Sequence, residues 1–262
     1  MSLCRTLIPL LFFIFSSASY AEIKTEEVEY TAGDTALKGY LAWDDSSTEK
    51  RPGVLVVHEW WGHNDYARKR ARMLAELGYV AFALDMYGEG KNTQHPKQAQ
   101  AFMSVVTKDM PLAEQRFKAA EKVLANHPLF QADKMAAIGY CFGGAMVLHM
   151  ARLGMPLAGV ASFHGSLGTQ LSTQPNAIKS KVLVLHGAND QFVTNAQIDS
   201  FKKEMQTAQA DFEFISYPEA QHSFTNPQAD RFGKEFNLPL AYHPEADRQS
   251  WLKMQEFLVS VF

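Results

Sequence analysis

Cysteine is scarce in this chain of 262 residues, which contains two. Cys4 lies in an N-terminal segment that we expect to be removed, and Cys141 would then be the only thiol of the mature protein. A single thiol has no partner within the chain, so an internal disulfide is excluded. Disulfides are usual in oxidising compartments, and a lone thiol there is either buried and inert or kept for its reactivity.

The sequence also lacks a strong excess of either charge, long apolar runs beyond its first residues, and linker-like segments. It has 25 basic and 28 acidic residues, a net charge of −3, whereas nucleic-acid-binding domains carry clustered basic charge. No later run is long enough for a transmembrane helix, and no repeat or Pro/Gly/Ser-rich tract divides the chain. We therefore predict one domain over residues 22–262, with no nucleic-acid partner and no stable membrane insertion.

The first 21 residues have the layout of a secretory signal peptide. Arg5 precedes an apolar run over residues 7–15, and small residues lead to a cleavage position after Ala21. The run is too short to span a membrane. We expect a periplasmic or secreted protein, the alternative being an N-terminal helix that docks on the fold.

Short apolar runs alternate with segments of helical periodicity along the rest of the chain. This alternation predicts an α/β fold with a mainly parallel central sheet and helices on both faces, in which ligands bind at the carboxyl ends of the strands. A hairpin over residues 28–43 is expected at the edge of the sheet. The predicted strands are 53–58, 79–84, 135–139, 160–163, 182–186 and 212–217, and the predicted helices are 64–77, 112–125, 143–153, 196–207 and 246–261.

A G-x-C-x-G motif at residues 139–143 lies where a predicted strand becomes a helix. This is the context of a nucleophile elbow, in which a sharp turn leaves no room for side chains at the two glycines and holds the central residue in a strained conformation. The positive end of the helix dipole favours a thiolate at Cys141. We predict that Cys141 is a nucleophile rather than an inert core thiol.

Two further residues follow strands in the order expected for a base and its orienting acid. His222 lies between strand 212–217 and the last helix, and Asp190 follows strand 182–186. The chain order nucleophile, acid, base is that of the α/β-hydrolases, and the acid would hold the imidazole in the proton-accepting tautomer. The alternatives are a surface histidine and a helix cap at Asp190 near Thr194.

Acyl transfer also needs hydrogen-bond donors for the oxyanion, and we predict the backbone N–H groups of Trp60 and Phe142 for this role. Glu59 adjoins the same loop as Trp60. A carboxylate near a thiol opposes formation of the thiolate, so Glu59 is either a structural anchor or a group that keeps the thiol protonated until substrate binds.

The segment from His58 to His63 superficially suggests a zinc site. Its histidines are five residues apart across a strand-to-loop boundary, whereas ligation from one helical face needs a spacing of four. We therefore predict no metal and no other cofactor. His164 and His186 are interpreted as hydrogen-bonded core or loop residues, and Met146 as core.

The motifs together resemble the dienelactone hydrolase family over nearly all of residues 22–262. They are H-E-x-x-G at 58–62, D-x-Y-G at 85–88, G-x-C-x-G at 139–143, H-G-x-x-D at 186–190 and H-S-F at 222–224. The resemblance implies an eight-stranded α/β-hydrolase that cleaves a small ester or lactone with a triad of Cys141, Asp190 and His222. It also implies that Glu59 pairs with the neutral thiol at rest and takes its proton when substrate arrives.

The sequence departs from well-studied family members, which hold a substrate carboxylate with two arginines. Glu89 and Asn226 occupy those neighbourhoods here, and neither matches an arginine fork. A substrate other than dienelactone is therefore expected, with Trp61, Tyr87, Glu89 and Asn226 as candidate substrate-binding residues. The alternative functions are non-catalytic binding of a small ligand and thiol redox chemistry, the latter disfavoured because no resolving cysteine remains.

Overall fold

The computed structural model describes residues 22–171 and 173–262. The predicted signal peptide, residues 1–21, lies outside the described residues. None of the described helices is both long and apolar enough to cross a membrane.

Over the described residues the strands form one eight-stranded sheet in the order β1-β2-β4-β3-β5-β6-β7-β8. The β1–β2 and β2–β4 pairs are antiparallel, and every other pair is parallel, so the predicted edge hairpin and the mainly parallel sheet are confirmed. The strands are β1 (Ile23–Ala32), β2 (Thr35–Asp44), β3 (Arg51–Val57), β4 (Val80–Leu84), β5 (Phe130–Tyr140), β6 (Gly159–Phe163), β7 (Lys181–Gly187) and β8 (Phe212–Tyr217).

The helices cover both faces of the sheet, as predicted. Helices α1 and α7 pack in one apolar cluster with one face, while α3, α4 and α5 pack in another cluster with the opposite face. The helices are α1 (Asp65–Glu76), α2 (Pro96–Thr107), α3 (Met110–Ala125), α4 (Phe142–Arg152), α5 (Asn195–Thr207), α6 (Ala229–Phe236) and α7 (Pro244–Val261).

The sequence interpretation missed α2 and α6. Only two residues of α2, Ala99 and Val106, are buried, so the helix has little apolar periodicity to reveal it. The signal that could have found it is Pro96 in the first turn, after His95, whose side chain caps the helix. Helix α6 is eight residues long, and Asn237, which follows it, is in the left-handed conformation.

The turn from β5 into α4 positions Cys141 and has no room for side chains at its flanking glycines. Cys141 has φ 54° and ψ −114°, a strained conformation for a residue with a side chain. A Cβ atom on Gly139 would lie 2.1 Å from the carbonyl oxygen of Gly143, and one on Gly143 would lie 2.2 Å from the carbonyl oxygen of Val57. Because the obstructing atoms are backbone, the turn cannot relax by rotating a side chain.

We expect Gly143→Ala to lower the free energy of unfolding by at least ~2 kcal/mol, or the melting temperature by ~5 °C, because the added methyl group overpacks a rigid site. The matched control is Gly168→Ala, since a Cβ atom there meets nothing within 4 Å. Thermal unfolding of both variants checks this, and equal melting temperatures would contradict it.

Candidate active site

A cavity of about 830 Å³ lies beside the carboxyl end of β5 and contains the predicted nucleophile and base. Cys141 and His222 both line it. Cys141 is partly exposed, and the imidazole of His222 is almost wholly buried. The sheet thus brings residue 141, after β5, next to residue 222, after β8.

Asp190 contacts the far side of the His222 ring, as the sequence predicted. Its Oδ2 atom lies 2.8 Å from Nδ1 of His222, and its other oxygen accepts a hydrogen bond of 2.8 Å from the Phe192 amide. The alternative role of Asp190 as the cap of α5 is wrong, because Thr194 caps that helix through a capping box with Gln197.

The electrostatics of His222 favour a charged imidazole. Burial opposes the positive charge, but the interaction with Cys141 and the hydrogen bond to Asp190 outweigh it and raise the pKa of His222 to about 10. The neighbouring His164 behaves oppositely, because burial holds its pKa well below the usual range. His164 also shares a hydrogen bond of 2.7 Å with Thr225, although its Nδ1 atom has no partner among the described residues.

Glu59 is buried and binds the loop that carries His222. Its carboxylate accepts hydrogen bonds from Ser223 Oγ at 2.9 Å and from Asn226 Nδ2 at 2.5 Å. Burial raises the pKa of Glu59, and these two donors oppose that effect. Among the described hydrogen bonds of this carboxylate, none involves Cys141.

Arg70, a buried residue of α1, binds the same loop. Arg70 donates to the carbonyl oxygen of Thr225 at 2.9 Å and to the carboxylate of Asp247 in α7 at 2.5 Å. The loop at residues 222–226 is therefore fixed by a carboxylate on one side and a guanidinium on the other.

The two predicted oxyanion donors belong to adjoining segments. The Gly143 amide of the elbow donates to the carbonyl oxygen of His58 at 3.1 Å, which joins the elbow to the loop after β3. The N–H groups of Trp60 and Phe142 donate to no other group in the described part of the chain. Both are therefore free to donate to a ligand, and both residues line the cavity.

The four predicted substrate-binding residues are not among the described residues that line this cavity. Trp61 is buried and stacks on Phe232, while Asn226 is bonded to Glu59. Tyr87 donates to the carbonyl oxygen of Trp60 at 3.1 Å. Exposed Glu89 pairs with Lys91 at 3.3 Å.

The D-x-Y-G motif is a loop anchor in this structure. Buried Asp85 accepts hydrogen bonds from the backbone amides of Lys38, Tyr87, Gly88 and Gly90. This fixes the loop after β4 and, through Tyr87, the backbone at Trp60.

Sequence reasoning missed most of the cavity wall, which comes from α2, from α4 and from residues 166–171. Met146 is a buried core residue, as predicted, and is also one of these wall residues. The wall residues not predicted are Gln100, Met103, Thr107, Met110, Ala145, Met146, His149, Arg152, Ser166, Gly168, Thr169, Gln170, Leu171, Phe192 and Leu240.

We expect NMR titration of ¹³C-labelled histidine to place the pKa of His222 at about 10. In Cys141→Ala the interactions of the sulfur with the ring are absent, so the pKa of His222 should fall by about one unit or more. Ser166→Ala, which changes the same cavity but leaves the sulfur in place, is the control. Identical His222 titrations in wild type and Cys141→Ala would refute the contribution of the sulfur to the pKa of His222.

Comparisons with known proteins identify the family of this chain. The model of the dienelactone hydrolase family matches residues 37–262. A protein of Methylorubrum extorquens named "Putative carboxymethylenebutenolidase" is 28% identical over 216 residues, covering 79% of this chain and 71% of its own. A solved structure titled m3DLH is 39% identical with a TM-score of 0.87, covering 92% of this chain and 99% of its own.

A second solved structure, a dienelactone hydrolase-like promiscuous phosphotriesterase from metagenomic libraries, is 35% identical with a TM-score of 0.87. It covers 93% of this chain and 100% of its own. Because the family model matches most of the sequence, the chain belongs to the dienelactone hydrolase family.

Proposed function

We propose that the protein hydrolyses small carboxylic esters or lactones, with Cys141 as nucleophile, His222 as acid and base, and Asp190 as the residue that orients His222. The observation that carries the proposal is the 2.8 Å contact between Asp190 and His222, because His222 lines a cavity that the strained Cys141 also lines. Membership of a hydrolase family supports the reaction class.

The reaction would follow two acyl-transfer steps. The sulfur of Cys141 attacks the carbonyl carbon, and the N–H groups of Trp60 and Phe142 stabilise the oxyanion. Protonated His222 gives its proton to the departing alkoxide, leaving a thioester on Cys141. His222 then takes a proton from water, whose oxygen attacks the thioester, and the acid product leaves as the thiolate reforms.

Glu59 serves this mechanism as a positioning residue in our proposal. It joins the loop that carries the Trp60 amide to the loop that carries His222, through Ser223 and Asn226. The resemblance suggests that it instead takes the thiol proton. The positioning role is favoured because the described hydrogen bonds of this carboxylate go to Ser223 and Asn226, and none goes to Cys141.

A non-catalytic ligand-binding role is the alternative function, and thiol redox chemistry is a weaker one.

We further propose export, on the pattern of residues 1–21. Mass spectrometry of the protein from its native host would then find Glu22 at the N-terminus, and an intact Met1 would contradict export by this route.

We expect Cys141→Ala to lower kcat/KM on aryl esters and lactones by at least ~10³-fold, because no thioester can form. The assay uses the signal-free protein under reducing conditions. Ser166→Ala, in the same cavity, should stay within ~3-fold of wild type. Full activity in Cys141→Ala would refute the nucleophile, and saturable binding without turnover in wild type would favour the binding role.

We expect Glu59→Gln to lower kcat/KM by ~10-fold with an unchanged pH profile, because an amide can accept only one of the two hydrogen bonds. Adding Asn226→Asp reverses the donor and acceptor and should restore much of the loss. Glu89→Gln, at an exposed position, is the control. A loss of ~10³-fold with one limb of the pH profile missing would instead support proton transfer by Glu59.

A further inference from the structure

One ion pair at the cavity wall has no role in the proposed reaction. Arg152 and Glu204, from α4 and α5, form a close ion pair at the wall. We propose that the cavity selects esters whose acyl and alcohol parts are uncharged and largely apolar. We further propose that Glu204 sets this preference by occupying Arg152. The proposal rests on the hydrolase function proposed above and specifies its substrate class.

Most of the surface of the described wall is apolar. A carboxylate transferred from water to such a surface loses its hydration, and this is unfavourable unless a cation or several donors replace the water. An alkyl or aryl group gains from the same transfer. The apolar wall residues are Trp60, Met103, Met110, Phe142, Ala145, Met146, Leu171, Phe192 and Leu240.

Arg152 is the only permanently charged cation among the described wall residues, and its charge is already paired. Its Nε atom donates to Glu204 Oε1 at 2.8 Å, and its Nη2 atom donates to Glu204 Oε2 at 2.9 Å. Nη2 also donates to the carbonyl oxygen of Leu167 at 2.9 Å. This two-point pairing is the geometry by which arginine would hold a substrate carboxylate, so Glu204 competes directly with such a substrate.

The other basic wall residue outside the proposed triad is His149. Burial lowers the pKa of His149, and its Nε2 atom lies 3.9 Å from the carboxylate of Glu114. A neutral ring can share a hydrogen bond with a substrate but cannot neutralise a carboxylate. The remaining polar residues of the described wall are uncharged: Gln100, Thr107, Ser166, Thr169 and Gln170.

The experiment compares two esters that differ by one charge. The 4-nitrophenyl ester of hexanoic acid ends in a methyl group, and the mono-4-nitrophenyl ester of adipic acid ends in a carboxylate at the same position. We expect wild type to prefer the hexanoate by ~100-fold or more in kcat/KM, because the wall offers the carboxylate no free cation. Equal rates, or a preference for the adipate, would overturn the proposed substrate class.

The role of Glu204 is tested by Glu204→Gln, which removes the charge that pairs with Arg152 while keeping the size of the side chain. We expect the preference to fall by ~10-fold or more, through a lower KM for the adipate, while hexanoate hydrolysis changes by less than ~3-fold. Asp199→Asn, at an exposed position of the same helix, should leave the preference unchanged. An unchanged preference in Glu204→Gln would overturn this role.

Failure of the proposed function can be distinguished from failure of this inference. If neither these esters nor lactones are hydrolysed, the hydrolase proposal fails. Whenever the two esters are not hydrolysed, calorimetry of both esters with Cys141→Ala protein decides the selectivity without turnover. Tighter binding of the hexanoate by ~10-fold or more would support the inference, and equal binding would overturn it.

Discussion

The buried carboxylate of Glu59 is the constraint on which the site depends. It links the loop after β3, which presents the Trp60 amide, to the loop after β8, which presents His222. A charge withdrawn from water must be met by hydrogen bonds, so the donors at Ser223 and Asn226 are fixed in place by it. The loop after β3 and the loop after β8, which are distant in sequence, are thereby held at a fixed separation.

The sheet supplies the remaining geometry. Because β3 and β5 are neighbours, the loop after β3 meets the elbow, and the hydrogen bond from Gly143 to His58 connects them. Because β7 and β8 are neighbours, Asp190 and His222 leave the sheet side by side. The candidate triad is therefore assembled by strand order, while its fine position is set by buried polar contacts.

The strands, the elbow and the three candidate triad positions could be predicted from sequence because each has a local signal. Apolar runs mark the parallel strands, and two glycines mark the turn at Cys141. The cavity wall could not be predicted, because it depends on contacts between distant residues. Arg152 and Glu204 are 52 positions apart and lie on helices whose sequences show no sign of meeting.

The side-chain partners of adjacent residues could not be predicted from sequence either. Trp60 lines the cavity while Trp61 is buried against Phe232, and the sequence W-W does not distinguish them. The sequence shows that Asn226 lies in a neighbourhood where well-studied family members have an arginine. It does not show the hydrogen bond of Asn226 to Glu59, because these residues are 167 positions apart. Local patterns predict elements, and side-chain partners across loops require the folded structure.

The backbone conformation of Cys141 has an evolutionary consequence. A residue with a side chain at φ 54° and ψ −114° is less stable there than glycine would be, so folding and the proposed nucleophilic role favour different residues at this position. Selection for stability alone would replace the cysteine with glycine. A lineage of this family that lost its need for the thiol would be expected to drift toward a more stable protein with glycine at position 141.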